Sequence, residues 1–179
     1  MNKRTVVLYQ SKYGSTKQYA EWLGESLGAP VFSIDGFSPE KLVRYDLVIV
    51  GGWIRIGKIT CADFIAENWN LLKDKQVVVY SVSATKPGEP EVLDFYKSSF
   101  PLALRERIRF FPLWGRFRSA DMADKFLMLV PKTALRIKLL LAPTEGVRSR
   151  YQGITERFDH VERTALQPLI EYCKSLEVL

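Results

Sequence analysis

The sequence predicts an α/β fold, a doubly wound five-stranded parallel sheet with a helical insertion after the fifth strand. Three observations carry that expectation. Short apolar runs, Val6–Tyr9, Asp46–Val50 and Gln76–Val82, alternate with stretches whose apolar residues recur every three or four positions. The middle run, DLVIV, is apolar on both faces, as a central parallel strand must be. Strands that alternate with helices need crossover connections, which are right-handed in parallel sheets. With 179 residues, 47% hydrophobic and 12% aromatic, the chain is long enough for one domain with a full core and too apolar to be disordered.

The first strand breaks at Gln10 into S-K-Y-G-S-T. A helical pattern follows at once, through Tyr19, Ala20, Trp22, Leu23 and Leu27. A strand that turns directly into a helix gathers free backbone N–H groups and the positive end of a helix dipole, which makes an anion site. Ser11, Ser15 and Thr16 add hydroxyl donors, Lys12 a cation, and Gly14 lets the backbone approach the anion closely. The loop lacks the glycines of a dinucleotide fingerprint and the Gly-Lys-Ser/Thr ending of a Walker loop. That argues against an ATPase or a Rossmann dehydrogenase and for a single phosphate held by serines and threonines. A plain strand–helix connection, with Ser or Thr merely capping the helix, is the other reading of the same residues.

Pro30–Ile34 is the second strand. Asp35–Phe37 turn the chain, and Ser38-Pro39-Glu40 start a brief helical turn with Ser as cap and Pro first. The third strand ends in G-G-W-I-R-I-G, Gly51–Gly57. A helix from Thr60, with Phe64, Ile65, Trp69 and Leu72, leads to the fourth strand. Ser83–Gly88 form another loop at a strand's C-terminal end, a helix covers Glu89–Ser98, and Ile108–Leu113 is the fifth strand. The last helix runs from about Thr155 to Leu176, packing through Phe158, Val161, Leu166, Leu169, Ile170 and Cys173. His160 falls on that helix, outside the strand-end face, and is not expected to be catalytic; Tyr9 and Trp22 are expected in the core. No linker or repeat is visible, so residues 1–179 read as a single domain.

Met1 leads straight into the first strand, which leaves no room for a signal peptide. Two distant cysteines and one histidine make neither a zinc site nor a disulfide framework, so no metal is expected and the cytoplasm is the expected compartment. The net charge of +6 is localised. Residues 105–150 hold eleven Lys and Arg against four acids, a net +7, which leaves −1 for the rest. A local basic surface facing an anionic partner is implied. The excess coincides with the insertion, about 114–150. Its core, 122–142, contains FLMLV, Pro131 and ALRIKLLLA. It is too short and too charged for a membrane span and too apolar for an ordinary loop. Three readings are open: helices packed back on the domain, a segment peripheral on the inner membrane face, or the interface of a homo-oligomer.

In an open α/β sheet, ligands sit outside the carboxyl ends of the strands, where the order reverses. Three loops meet there. The first, Ser11 to Thr16 with Tyr13 inside it, resembles the phosphate loop of the flavodoxin-like proteins, which bind flavin mononucleotide (FMN). The usual loop begins and ends with a hydroxyl residue and carries Gly near its middle. Ser11, Gly14 and Thr16 fill those places, while Tyr13 stands where Ser or Thr is usual. The second loop is similar in position to the family's second loop, and Trp53, Ile54, Arg55 and Gly57 would lie against the isoalloxazine ring. Arg55 would then stabilise an anionic hydroquinone; a surface role, or a pair with Glu89, is its alternative, as core packing is for Trp53. The third, Ser83, Ala84 and Thr85, would meet the pyrimidine edge. The resemblance implies strand order 2-1-3-4-5 and FMN as the group that carries the chemistry.

The stretches Gly51–Gly57, Ser81–Pro87 and Phe111–Met128 resemble the protoporphyrinogen-oxidase-like branch of this family, which carries a long insertion after its fifth strand. Trp53 departs from that branch, which has a small residue there. The branch implies an FMN-dependent oxidoreductase meeting a tetrapyrrole or other small-molecule substrate and a quinone or other electron acceptor. Trp114, Arg116, Phe117 and Arg118 would stand at the mouth of its site, arginines holding carboxylates and aromatics stacking on a ring. A solvated basic loop is the alternative there. A flavodoxin-type electron carrier is the second functional reading, although such carriers are usually acidic. Nucleic acid is not expected as a partner, because Phe110–Arg118 belongs to no recognised module.

Overall fold

The computed structural model describes residues 3–117, 140 and 158–176. In chain order these form β1 (Thr5–Tyr9), α1 (Ser15–Leu27), β2 (Val31–Ser33), β3 (Leu47–Arg55), β4 (Lys58–Ile59), α2 (Ala62–Glu67), α3 (Trp69–Leu72), β5 (Gln76–Ser83), α4 (Pro90–Ser99), α5 (Leu102–Arg105), β6 (Ile108–Trp114), β7 (Arg116–Phe117), β8 (Phe158–Asp159) and α6 (Gln167–Ser175). Short 3-10 turns occupy Ile34–Gly36, Pro39–Arg44 and Arg163–Leu166.

The five parallel strands lie in the order β2-β1-β3-β5-β6. This is the expected 2-1-3-4-5 order, renumbered because a hairpin strand, β4, pairs antiparallel with the end of β3. The α/β class and the five-stranded parallel sheet expected from the sequence are therefore correct, while the helical insertion expected after the fifth strand lies outside the described residues. The central strands are buried on both faces, and their side chains divide by alternation. Val6, Leu8, Val48, Val50, Val77 and Val79 pack on one side with Ile65, Leu72 and Phe100. Val7, Leu47, Ile49, Val78 and Tyr80 pack on the other with Tyr19, Leu23, Leu166, Leu169 and Cys173. Burying each such Val or Leu contributes roughly 1.5–3 kcal/mol, so the sheet centre fixes the frame on which the strand-end loops sit.

Several boundaries differ from the sequence expectation. β3 does not stop at Val50 but runs to Arg55, so the second loop is largely strand. Its remainder is a two-residue turn, Ile56-Gly57, with Arg55 paired to Lys58. Ser38 precedes its 3-10 turn without a side-chain capping bond. The helix from Thr60 is broken at Asn68, whose Nδ2 donates to the Phe64 carbonyl at 2.8 Å in competition with the helical ladder. The last helix begins far later than expected. Phe158 and Asp159 form β8, and α6 starts only at Gln167, with Pro168 in its first turn. Proline lacks the N–H that a helix interior requires but is well suited to a first turn, so position 168 marks the start of a helix rather than its middle. The expected helical start at Thr155 and the insertion core 122–142 lie outside the described residues. Among the described residues, no helix is long and apolar enough to cross a membrane.

Candidate functional site

The carboxyl ends of β1, β3, β5 and β6 bring four groups of side chains together. At the end of β1, Gly14 is the N-cap of α1, with φ 86° and ψ −15°. A Cβ at Gly14 would meet nothing within 4 Å, so the space in front of the loop is open. No side chain caps the helix. The simple capping role open to Ser and Thr on sequence grounds is thus not adopted. Ser11 Oγ instead accepts the Gly14 N–H at 3.2 Å, closing the turn while its own proton stays available for donation. The first N–H groups of α1 have no intrahelical acceptor.

Ser15 and Thr16 are buried, 5% and 2% exposed. Ser15 Oγ accepts the backbone N–H of Arg116 at 3.4 Å, and the Thr16 carbonyl accepts the Tyr80 hydroxyl at 2.9 Å. Lys12 is exposed, with Nζ 5.3 Å from the centroid of the Tyr13 ring.

At the end of β3, Trp53 is half-buried and meets Tyr13 edge to face, with centroids 5.8 Å apart and planes at 74°. Two rings thereby join the first and second loops. The Trp53 N–H donates to Thr60 Oγ1 at 3.2 Å. Ile54 turns to the opposite side of the strand and packs against the core, so of Trp53, Ile54 and Arg55 only the first and last can reach the loop region. Arg55 is exposed and forms no ion pair with Glu89. The hairpin tip is held from α4: Ser98 Oγ donates to the Gly57 carbonyl and Ser99 Oγ accepts the Ile59 N–H, both at 2.8 Å.

After β5, the Ser83 hydroxyl donates to the Thr85 carbonyl at 2.9 Å, and the Ala84 carbonyl accepts Trp114 Nε1–H at 3.1 Å. The Ser83 carbonyl accepts the Gly115 N–H at 2.8 Å. With these carbonyls engaged, what the loop can readily offer a ligand is its N–H groups.

The end of β6 holds the residue that sequence reasoning misplaced. His160 is not on a helix. It follows β8, its N–H donates to the Gly115 carbonyl at 3.2 Å, and its ring stacks on Trp114 at the strand-end face. Lys86 Nζ lies 6.0 Å from the same indole. Beneath them the Tyr19 hydroxyl donates to the Trp114 carbonyl at 2.7 Å and accepts the Glu162 N–H at 3.3 Å. Burial raises the Tyr19 phenol above its ordinary range. Arg116 Nε stands 3.5 Å from Asp159 Oδ2, close enough for an ion pair although not aligned as a hydrogen bond. Arg116 is therefore partly neutralised, unlike the uncommitted cation expected at the mouth of the site. Phe117 lies in β7, paired with Phe158; Arg118 lies outside the described residues. Among the described residues, the β7–β8 ribbon is two residues long on each side, too short for alternation to reveal it in sequence. Among the described residues, no cluster of His, Cys, Asp and Glu could hold a metal ion.

The uncharacterized protein MJ0298 of Methanocaldococcus jannaschii is 27% identical over 117 residues, 64% of this chain and 73% of that protein. Among solved structures, a WrbA-like flavodoxin from Agrobacterium tumefaciens is 20% identical with a TM-score of 0.49, covering 92% of this chain and 98% of its own. A flavodoxin from the domain Archaea is 19% identical with a TM-score of 0.47, covering 65% and 85%. The family model described as a flavodoxin domain matches residues 6–123, well over half of the sequence, and the chain belongs to that family.

Proposed function

We propose that this protein binds FMN at the strand ends and acts as a flavodoxin-like oxidoreductase. The observation that carries the reading is the uncapped start of α1 behind Gly14, in the loop where a flavodoxin-family chain holds phosphate. Backbone N–H groups at the start of α1 and the hydroxyls of Ser11 and Thr16 would hold the phosphate, with Lys12 nearby as a countercharge. The open position where a Gly14 Cβ would stand supports that reading. Tyr13 and Trp53 would flank the ring, and the N–H groups of Ala84 and Thr85 would meet its polar edge. When bound, FMN supplies reversible one- and two-electron transfer, and this chain supplies orientation and redox tuning.

The finer reading is protoporphyrinogen-oxidase-like oxidation of a tetrapyrrole with a quinone as acceptor. Its support is the resemblance of Phe111–Met128, together with the position of Trp114 at the mouth of the strand-end face. The Arg116–Asp159 contact weighs against a carboxylate-binding role for Arg116. The test begins with an absorbance spectrum of the protein before and after addition of FMN and removal of the excess. Retained flavin bands are expected, and Ser11→Ala combined with Thr16→Ala should weaken binding in a fluorescence titration. Colourless protein at every FMN concentration overturns the reading. Turnover of protoporphyrinogen IX with a quinone then separates an enzyme from an electron carrier.

A further inference from the structure

We infer that Tyr80 is a positioning residue for the phosphate loop, fixing the first turn of α1 from beneath. The inference rests on the phosphate reading of that loop and names a residue which that reading does not use. Tyr80 lies in the middle of β5, 0% exposed, on the side of the sheet covered by α1 and α6. Its hydroxyl donates to the carbonyl of Thr16, 64 residues away in sequence, at 2.9 Å. A buried phenol requires a partner, and this one is found in the helix start rather than in the core.

The path of the ring is prepared by β3. Gly51 sits between Tyr9 of β1 and Tyr80 of β5 in the sheet. A Cβ at Gly51 would collide with Cζ and the hydroxyl oxygen of Tyr80. The missing side chain is thus the channel through which the phenol crosses β3 toward the end of β1. Burial, with smaller effects from Cys61 and Tyr9, pushes the phenol well above its ordinary range, so the hydroxyl remains a proton donor.

The consequence for the loop follows from the planarity of the peptide. The Thr16 carbonyl and the Lys17 N–H belong to one rigid unit and point in opposite directions. Holding the carbonyl aims the N–H toward the helix start, where the anion sits. Ser11 closes the loop from above through Gly14, and Tyr80 anchors it from below through Thr16. Phenylalanine at position 80 would fill the same core volume, so the hydroxyl accounts for the difference.

The test compares FMN with riboflavin, which has the same ring and no phosphate, on wild type and Tyr80→Phe. Loosening the anchor is expected to weaken FMN binding by about two- to threefold, a fraction of the worth of a neutral hydrogen bond that the free protein also loses, with riboflavin binding unchanged. In the ligand-free variant, amide hydrogen exchange at Gln18, Tyr19 and Ala20, the first hydrogen-bonded amides of α1, should speed up while the β5 amides keep their protection. Wild type that prefers FMN, with an equal preference in Tyr80→Phe, overturns the inference and leaves the phosphate reading standing. Equal weakening of both ligands also overturns it, because core packing alone would then explain the residue. Wild type that binds FMN no better than riboflavin overturns the phosphate reading and the inference with it.

Discussion

The imidazole of His160 lies nearly face to face with the indole of Trp114, ring centroids 3.7 Å apart and planes 23° from parallel. The contact joins residues on either side of the insertion, one ending β6 and the other following β8. Around it the chain is tied by backbone: His160 N–H to the Gly115 carbonyl, and Glu162 N–H to the Tyr19 hydroxyl. The return segment is thereby fastened onto the strand-end face before α6 begins. Any ligand approaching Ala84 meets an indole whose N–H is already engaged and whose ring is stacked on an imidazole.

Removing the imidazole tests how much the stack contributes. His160→Ala should lower unfolding stability by about 1 kcal/mol, the scale of an aromatic pair beyond area burial. His160→Phe, which keeps a flat ring, should stay near wild type. Urea denaturation of the three proteins measures this. Alanine and phenylalanine variants of equal stability would show that the stack holds nothing.

Ile56 occupies a conformation that suits it poorly. It has φ 49° and is 79% exposed at the hairpin tip, followed by Gly57 at φ 74°. Two central residues with positive φ are what a two-residue hairpin turn demands, and Asn-Gly satisfies that demand best. A β-branched residue there carries roughly 1–2 kcal/mol of backbone strain, and so exposed a side chain offsets little of it. Ile56→Asn should therefore raise stability by about 1 kcal/mol, read as a higher urea midpoint. A lower midpoint would mean that the isoleucine makes a contact worth more than its strain.

The sheet was legible because Val6–Tyr9, Asp46–Val50 and Gln76–Val82 are buried on both faces, and continuous apolar runs have few other uses. The turn through Ser11 and Gly14 was legible for a similar reason, since only five residues separate Tyr9 of β1 from Ser15 of α1. What escaped was set by tertiary contact. β3 continues to Arg55 because β4 folds back on it, and a two-residue strand leaves no period to read. His160 was placed on a helix because Phe158 and Val161, and then Leu166, Leu169 and Ile170, recur three or four apart; Pro168 was the signal that should have moved the helix start. Tyr80 escaped because an aromatic residue in a central strand reads as core, and its hydroxyl partner lies in another element.

Gly14 separates backbone strain from crowding. Nothing lies within 4 Å of a Cβ built there, so Gly14→Ala meets no protein atom. Its cost is the left-handed conformation alone, about 1 kcal/mol for a residue with a Cβ. Gly14→Asn should recover part of that loss, because Asn tolerates this region better than Ala. If the open space receives a phosphate, both variants should also bind FMN more weakly than their modest destabilisation explains. Thermal denaturation and FMN titration together distinguish the two effects; unaltered FMN affinity in Gly14→Ala would place the anion elsewhere.

Alkaline pH should reveal the buried phenols. Burial raises the pKa of Tyr80 well above the ordinary value, and those of Tyr19 and Tyr96 more moderately. In the unfolded chain a tyrosine loses its proton near pH 10, whereas in the folded chain these keep theirs to higher pH. The unfolded state then binds fewer protons, so stability falls as pH rises through that window. For Tyr80 the stabilising contribution is complete below about pH 10 and is lost above it, at up to about 1.4 kcal/mol per pH unit. Tyr80→Phe removes that slope while losing about 1 kcal/mol at neutral pH through its hydrogen bond. The stabilities of wild type and variant should therefore converge as pH rises from about 8 to 11, with other titrating groups cancelling in the difference. Urea midpoints that stay parallel across that range would mean that Tyr80 ionises as readily in the folded protein as in the unfolded chain, and that its bond to Thr16 does not hold the phenol in place.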